Sequence, residues 1–262
     1  MKARLSSVVL LPVCVIMSVA GCSVKEDRDR CPCRLLVDFS AVGSGVPHVV
    51  DLCVTSADGF LFNDVVDIDG LDGIYAVDVP KGTVRVNVYA GDEGCGADDG
   101  SLIIPEGSQC PPVFMFSGEV DAGGEQASCQ PVLRKSHCVV GIRLVRDDGE
   151  LPFSLRIIGS VAGYGVDGLP YQGEFSHVLE IDSSGRGSVR VPRQTDGSLV
   201  LEIVEDGDVL RRFALGEMIL ASGYDWNAPD LADVDIEIDY SKTDVTFAVD
   251  DWEAEFSFDI TI

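Results

Sequence analysis

The sequence predicts an all-β protein, two tandem sandwiches behind a cleaved export signal. Three observations lead there. Nearly every apolar run past residue 34 alternates with a period of two, as strands buried on one face do. Turn signals punctuate these runs at a spacing of about ten residues, the rhythm of sandwiches and barrels. Sustained helical periodicity is missing.

The chain opens with Lys2 and Arg4, an apolar run from Leu5 to Ala20, and then Gly21 and Cys22. Sixteen residues fall short of the ~20 that cross a bilayer core, and no basic stop-transfer cluster follows, so the run reads as a removable signal covering residues 1–21. Val19-Ala20-Gly21-Cys22 resembles the bacterial lipobox, which implies that Cys22 becomes an acylated amino terminus. Two or three acyl chains, at about 0.8 kcal/mol per buried methylene, give stable attachment where one chain would not. Lys25-Glu26-Asp27 directly behind it resembles the surface-export signal of Bacteroidota lipoproteins. Residues 22–33 are therefore expected to be an acidic tether, and the protein to be lipid-anchored to the outer membrane and exposed at the surface.

Removing the signal takes away Lys2 and Arg4 and no acid, leaving 17 basic against 44 acidic side chains, a net charge of −27. Such a polyanion repels nucleic acid. The remaining 241 residues suffice for one large or two ordinary domains, and with 46% of the whole chain apolar this is no disordered acidic tail.

The strands follow in order. Leu35, Val37 and Phe39 alternate first, and Val84, Val86 and Val88 alternate with Arg85, Asn87 and Tyr89. Val140, Ile142 and Leu144 repeat the pattern, as do Leu199, Leu201 and Ile203, then Val234, Ile236 and Ile238, then Val245, Phe247 and Val249. Asp58-Gly59, Asp148-Gly149, Asp206-Gly207 and Ser241-Lys242-Thr243-Asp244 supply turns. The best helix candidate, Leu215 to Ser222, spans a turn or two and suits a cap over one sandwich. The Gly- and acid-rich stretch from Ser117 to Gln126, followed by Pro131, marks the domain boundary, giving sandwiches over 34–131 and 132–262.

Little in the chain points to chemistry. Gly163-Tyr164-Gly165-Val166-Asp167-Gly168 has the letters of a dinucleotide fingerprint, but another strand-like run follows instead of the required helix. Asp64, Asp67, Asp69 and Asp72 crowd one loop without the EF-hand spacing, so a solvated acidic turn is expected, with weak calcium binding the alternative. His48, His137 and His177 are far apart, and no nucleophile elbow appears. No catalysis and no cofactor are expected. Seven cysteines remain in the mature chain besides Cys22, an odd set compatible with disulfides or with buried thiols.

Several blocks carry a family resemblance: Cys31-Pro32 before the first strand, Ile74-Tyr75 with Val79-Pro80-Lys81-Gly82, the strand ending Val88-Tyr89-Ala90-Gly91, and above all Leu231 to Tyr240 followed by Thr243 to Val249 and Asp251-Trp252. In these the chain resembles the FimB-type anchor lipoproteins of fimbrillin pili. The resemblance implies two transthyretin-like β-sandwich domains, no catalysis, fimbrial stalk or other fimbrillin subunits as partners, and a role in attaching the fimbrial rod to the membrane and limiting its length. The cysteine-rich mature chain departs from the pattern. The alternative is a surface lipoprotein adhesin or glycan-binding protein, for which Tyr164, Tyr171, Tyr224 and Trp226 are the aromatic candidates.

The chain ends on an amphipathic strand in which Trp252, Ala254, Phe256, Phe258, Ile260 and Ile262 alternate with polar residues. Its apolar face must be paired, because a free flat edge invites aggregation. It either completes the second sandwich or is exchanged with a fimbrial subunit.

Overall fold

Alternation of apolar residues becomes strand pairing throughout a computed structural model that describes residues 31–91, 95, 99–145, 154–239, 244–249 and 252–257. Over these residues the protein is all-β apart from one short helix and two single 3-10 turns. In the first half, β1 (Cys33–Asp38) lies between β4 (Ile74–Val79), antiparallel, and β8 (Gln126–Cys129), parallel. A second sheet runs β3 (Leu61–Asp67), β2 (Val49–Ser56), β5 (Thr83–Ala90), β7 (Phe114–Asp121) and β9 (Arg134–Lys135), antiparallel throughout. Leu35, Val37, Val50, Leu52, Val54, Val84, Val86 and Val88 fill the space between the sheets, each 1% exposed or less. Burying a side chain of this size contributes about 1.5–3 kcal/mol.

The second half repeats this plan without a counterpart of β9. Here β10 (His137–Val145) lies between β13 (Arg186–Pro192), antiparallel, and β16 (Val234–Asp239), parallel. The facing sheet runs β12 (Pro170–Leu179), β11 (Ser154–Tyr164), β14 (Val200–Glu205) and β15 (Asp208–Phe213). Substituting β10 for β1, β11 for β2, β12 for β3, β13 for β4, β14 for β5, β15 for β7 and β16 for β8 reproduces both sheet orders and every strand direction. Val140, Ile142, Leu144, Leu155, Ile157, Leu201 and Ile203 form the core between them. Helix α1 (Leu215–Ala221) buries Leu215, Met218 and Ile219 against it. Gly216 permits this approach, since a Cβ there would come within 2.6 Å of the Gly197 backbone.

The β14–β15 hairpin turns on Asp206 (φ 51°) and Gly207 (φ 90°), two positive angles in succession, as the two-residue turn that matches strand twist demands. The stretch from Ser117 to Gln126, linker-like in composition, is instead the end of β7, a turn and the start of β8. Gly118 belongs to the strand because the Phe116 ring occupies the place a Cβ would take, 2.7 Å away. One segment of the first half serves the other core: Cys95, Leu102, Ile104, Cys110 and Val113 pack in the second cluster, and β6 (Leu102–Ile103) pairs with β11. The Asp148-Gly149 and Ser241–Thr243 turn signals lie outside the described residues.

Candidate assembly interface

The sequence points to two regions, the amino terminus expected to be lipidated at Cys22 and the last strand. Cys22 lies outside the described residues. These begin at Cys31, which is exposed, and Cys33 opens β1 fully buried. Among the described residues no helix is long and apolar enough to cross a membrane.

At the other end, β17 (Asp244–Val249) pairs antiparallel with β16, and β18 (Trp252–Ser257) pairs antiparallel with β17. Registers align the rows: Val234 faces Val249 and Val249 faces Trp252; Ile236 faces Phe247 and Phe247 faces Ala254; Ile238 faces Val245 and Val245 faces Phe256. Trp252, Ala254 and Phe256 thus stand in cross-strand rows with three residues of the second core. Phe258, Ile260 and Ile262 lie outside the described residues. Neither β17 nor β18 has a counterpart in the first sandwich, so both are additions to a strand plan already complete at β16.

Asp230 and Asp233 tie the block Leu231–Asp239 to the segment entering β10. Asp230 accepts from the Lys135 backbone N–H (2.8 Å) and from Arg134 (2.9 Å). Asp233 Oδ1 accepts from Lys135 Nζ (2.6 Å) and from the Val139 N–H (2.8 Å), fixing the start of β16 beside β10. Arg193 donates to the carbonyls of Trp226 and Ala228, holding the loop that precedes the block.

The remaining candidates serve structure. Asp64 accepts from the Tyr75 hydroxyl, and burial together with that carboxylate pushes the phenol up to about 12. Asp67 accepts from the Asp69 N–H, and Asp69 faces His48 Nδ1 at 2.6 Å. Among the described residues no group of three or more Asp, Glu, His or Cys side chains is placed to hold a metal ion. His137 is buried with Nδ1 on the Val113 carbonyl at 3.1 Å, and burial lowers its pKa. The Cys33, Cys53, Cys110, Cys129 and Cys138 thiols are free and buried. Burial pushes Cys53 up to about 11 and Cys138 up to about 12, so neither presents a thiolate nucleophile at neutral pH.

Of the four aromatics that a glycan-binding loop would use, Tyr164, Tyr224 and Trp226 are buried, and Tyr171 alone, 48% exposed, reaches the surface. Sequence reasoning missed Glu202, whose side chain is 1% exposed and receives Arg156 Nε (2.7 Å), Arg156 Nη2 and Arg212 Nε (2.8 Å). Burial would raise this carboxyl, but the two guanidiniums overcome it and hold the pKa below the ordinary value. The alternation Arg156/Ile157 shows which residue faces out but not that a buried acid sits across the sheet.

No family model matches the chain, and no curated protein matches it significantly. Solved structures do share its fold. The fimbrial anchor protein Mfa2 from Porphyromonas gingivalis is similar with a TM-score of 0.63 at 13% identity, over 87% of this chain and 100% of that one. A proposed polysaccharide-binding protein from Bacteroides thetaiotaomicron gives 0.63 at 15% identity, over 86% and 98%. A proposed adhesin from Bacteroides ovatus gives 0.58 at 14% identity, over 89% and 97%.

Proposed function

We propose that this chain is a non-catalytic fimbrial subunit, the lipoprotein that attaches a fimbrial rod to the outer membrane at the cell surface. Residues 1–21 are the removed signal, Cys22 carries the acyl chains, residues 22–33 form the tether, and sandwiches 34–131 and 132–262 carry the partner-binding surface. The observation that carries this reading is the presence in one chain of a lipobox cysteine and a fold that follows a fimbrial anchor protein over 87% of its length. The place we assign to the partner subunit is the strand at Trp252, Ala254, Phe256, Phe258, Ile260 and Ile262. Support comes from the strand plan, complete at β16 without β17 and β18, and from β18 being the outermost described strand of its sheet. An exchanged strand gains main-chain hydrogen bonds for strength and alternate side-chain rows for register. Purifying the intact surface complex in mild detergent tests the reading. Fimbrillin-type subunits are expected to copurify, and their absence overturns it.

A further inference from the structure

The glycine-rich loop between β11 and β12 has a role that its letters do not suggest. Its first glycine, Gly163, has φ +143°, and a Cβ there would lie 2.0 Å from the Leu102 carbonyl oxygen, so β6 can seat against the end of β11. Tyr164 next to it is fully buried, donates to the Ser136 carbonyl, and accepts from the Arg193 N–H at 2.9 Å.

Beyond Tyr164 the loop leaves its own sandwich and lies on the outer face of the first. Three successive carbonyls meet three alternate side chains of β5. Gly165 O receives Tyr89 Oη at 3.5 Å, Val166 O receives Asn87 Nδ2 at 2.6 Å, and Asp167 O receives Arg85 Nη1 at 3.3 Å. Ser117 Oγ on β7, directly opposite Asn87, also donates to Asp167 O at 3.1 Å. Gly168 (φ +74°) closes the contact, since a Cβ there would come 2.3 Å from that of Ser117. Asn87 is 0% and Tyr89 3% exposed although both stand on the face turned away from the first core. Polar donors are buried at such a position only when something accepts from them, and here the loop carbonyls accept from the Asn87 amide and the Tyr89 hydroxyl, leaving, of these two side chains, only Asn87 Oδ1 without a partner among the described residues.

Two further ties cross the same junction. The segment ahead of β7 is gripped by the second sandwich: Cys110 N–H donates to Arg190 O (2.9 Å), Arg190 Nε returns to Cys110 O (2.8 Å), and His177 Nδ1 meets Gly107 O (2.8 Å). The Ser136 N–H donates to Val113 O at 3.1 Å, and the Leu231 N–H to Lys135 O at 3.0 Å.

We infer that residues 163–168 are a clasp, read by the Arg85, Asn87 and Tyr89 row, which joins the two sandwiches into one cooperatively unfolding body with no hinge at residue 131. This inference stands apart from the anchoring reading.

Hydrogen exchange of the intact protein, followed by mass spectrometry across a denaturant series, tests it. Cooperative units open together and show one opening free energy. Peptides from Val84–Ala90 and His137–Val145 are expected to open with the same denaturant dependence in the wild type. Gly168→Val, which adds a Cβ where there is no room, is expected to separate them by about tenfold or more in exchange rate. Asn87→Ser, too short to reach Val166 O, is the milder second variant and is expected to separate them in the same direction. Different opening in the wild type, or peptides that still move together in both variants, overturns the clasp.

Discussion

Replacing Glu202 by Gln probes a buried charge whose partners are fully defined. The carboxylate is 1% exposed and accepts three hydrogen bonds, two from Arg156 and one from Arg212. The amide introduced by Glu202→Gln would keep one acceptor for Arg156 and turn an NH₂ toward Arg212, donor against donor. One charged hydrogen bond is lost outright, about 1.5–3 kcal/mol. The full 3–5 kcal/mol of a broken enclosed pair does not apply, because Arg156 and Arg212 are 38% and 68% exposed and can turn to water. A loss of about 2–3 kcal/mol follows, a fall in Tm of roughly 4–12 °C for a body of this size. Arg212→Ala removes a largely solvated partner and is expected to cost under about 1 kcal/mol. The pH dependence has a definite sign. The folded carboxyl is held below its unfolded value, so its contribution is complete above about pH 5 and is lost as pH falls through the depressed folded value. Thermal melts of wild type and Glu202→Gln from pH 8 down to pH 3 should run apart at neutral pH and converge only in acid. Equal costs for Glu202→Gln and Arg212→Ala, or a gap that widens in acid, would refute the reasoning.

Cys22→Ala is expected to move the protein from the membrane to the soluble fraction and to remove the acyl mass of the mature chain; a mutant that stays membrane-bound, beside a wild type without acyl chains, refutes anchoring. Protease applied to intact cells is expected to degrade the folded sandwiches, and complete protection until lysis would place them in the periplasm. Phe256→Asp is expected to leave a folded monomer that no longer retains fimbriae; lost monomer stability would assign β18 to its own domain, and a stable, fully competent variant would exclude both roles.

The legible part of this sequence is the part that faces the cores. Val84, Val86 and Val88 announce a strand and its buried side because burial on one face leaves a period of two. The same pattern marks Arg85, Asn87 and Tyr89 as the opposite face and stops there, since alternation carries nothing about what covers that face. Their partners are carbonyls of residues 165–167, some eighty positions later and without side-chain identity, so no residue type betrays them. The Ser117–Gln126 stretch shows the reverse limit. Its Gly and acids match a linker by composition, yet Gly118 makes room for the Phe116 ring and Glu119 pairs with Arg85 at 2.6 Å inside a strand. Aromatic residues mislead likewise: Tyr164, Tyr224 and Trp226 sit among glycines and acids in the sequence but are buried in the second core.

The parallel pairing of the first and last strands of each repeat bears on how the protein reaches its shape. Arg34 finds Gln126 and Val140 finds Val234, partners roughly ninety residues downstream, and pairings of such high contact order form slowly. A chain that becomes available amino end first cannot close either sandwich until the parallel partner, β8 or β16, is present, and the clasp cannot form before the loop after β11 is present. Until then the edges of β1 and β10 are open to wrong partners. This topology therefore leaves the inner strand of each three-strand core, β1 and β10, waiting longest for its second neighbour, and makes those two edges the places where misassembly during folding is expected to begin.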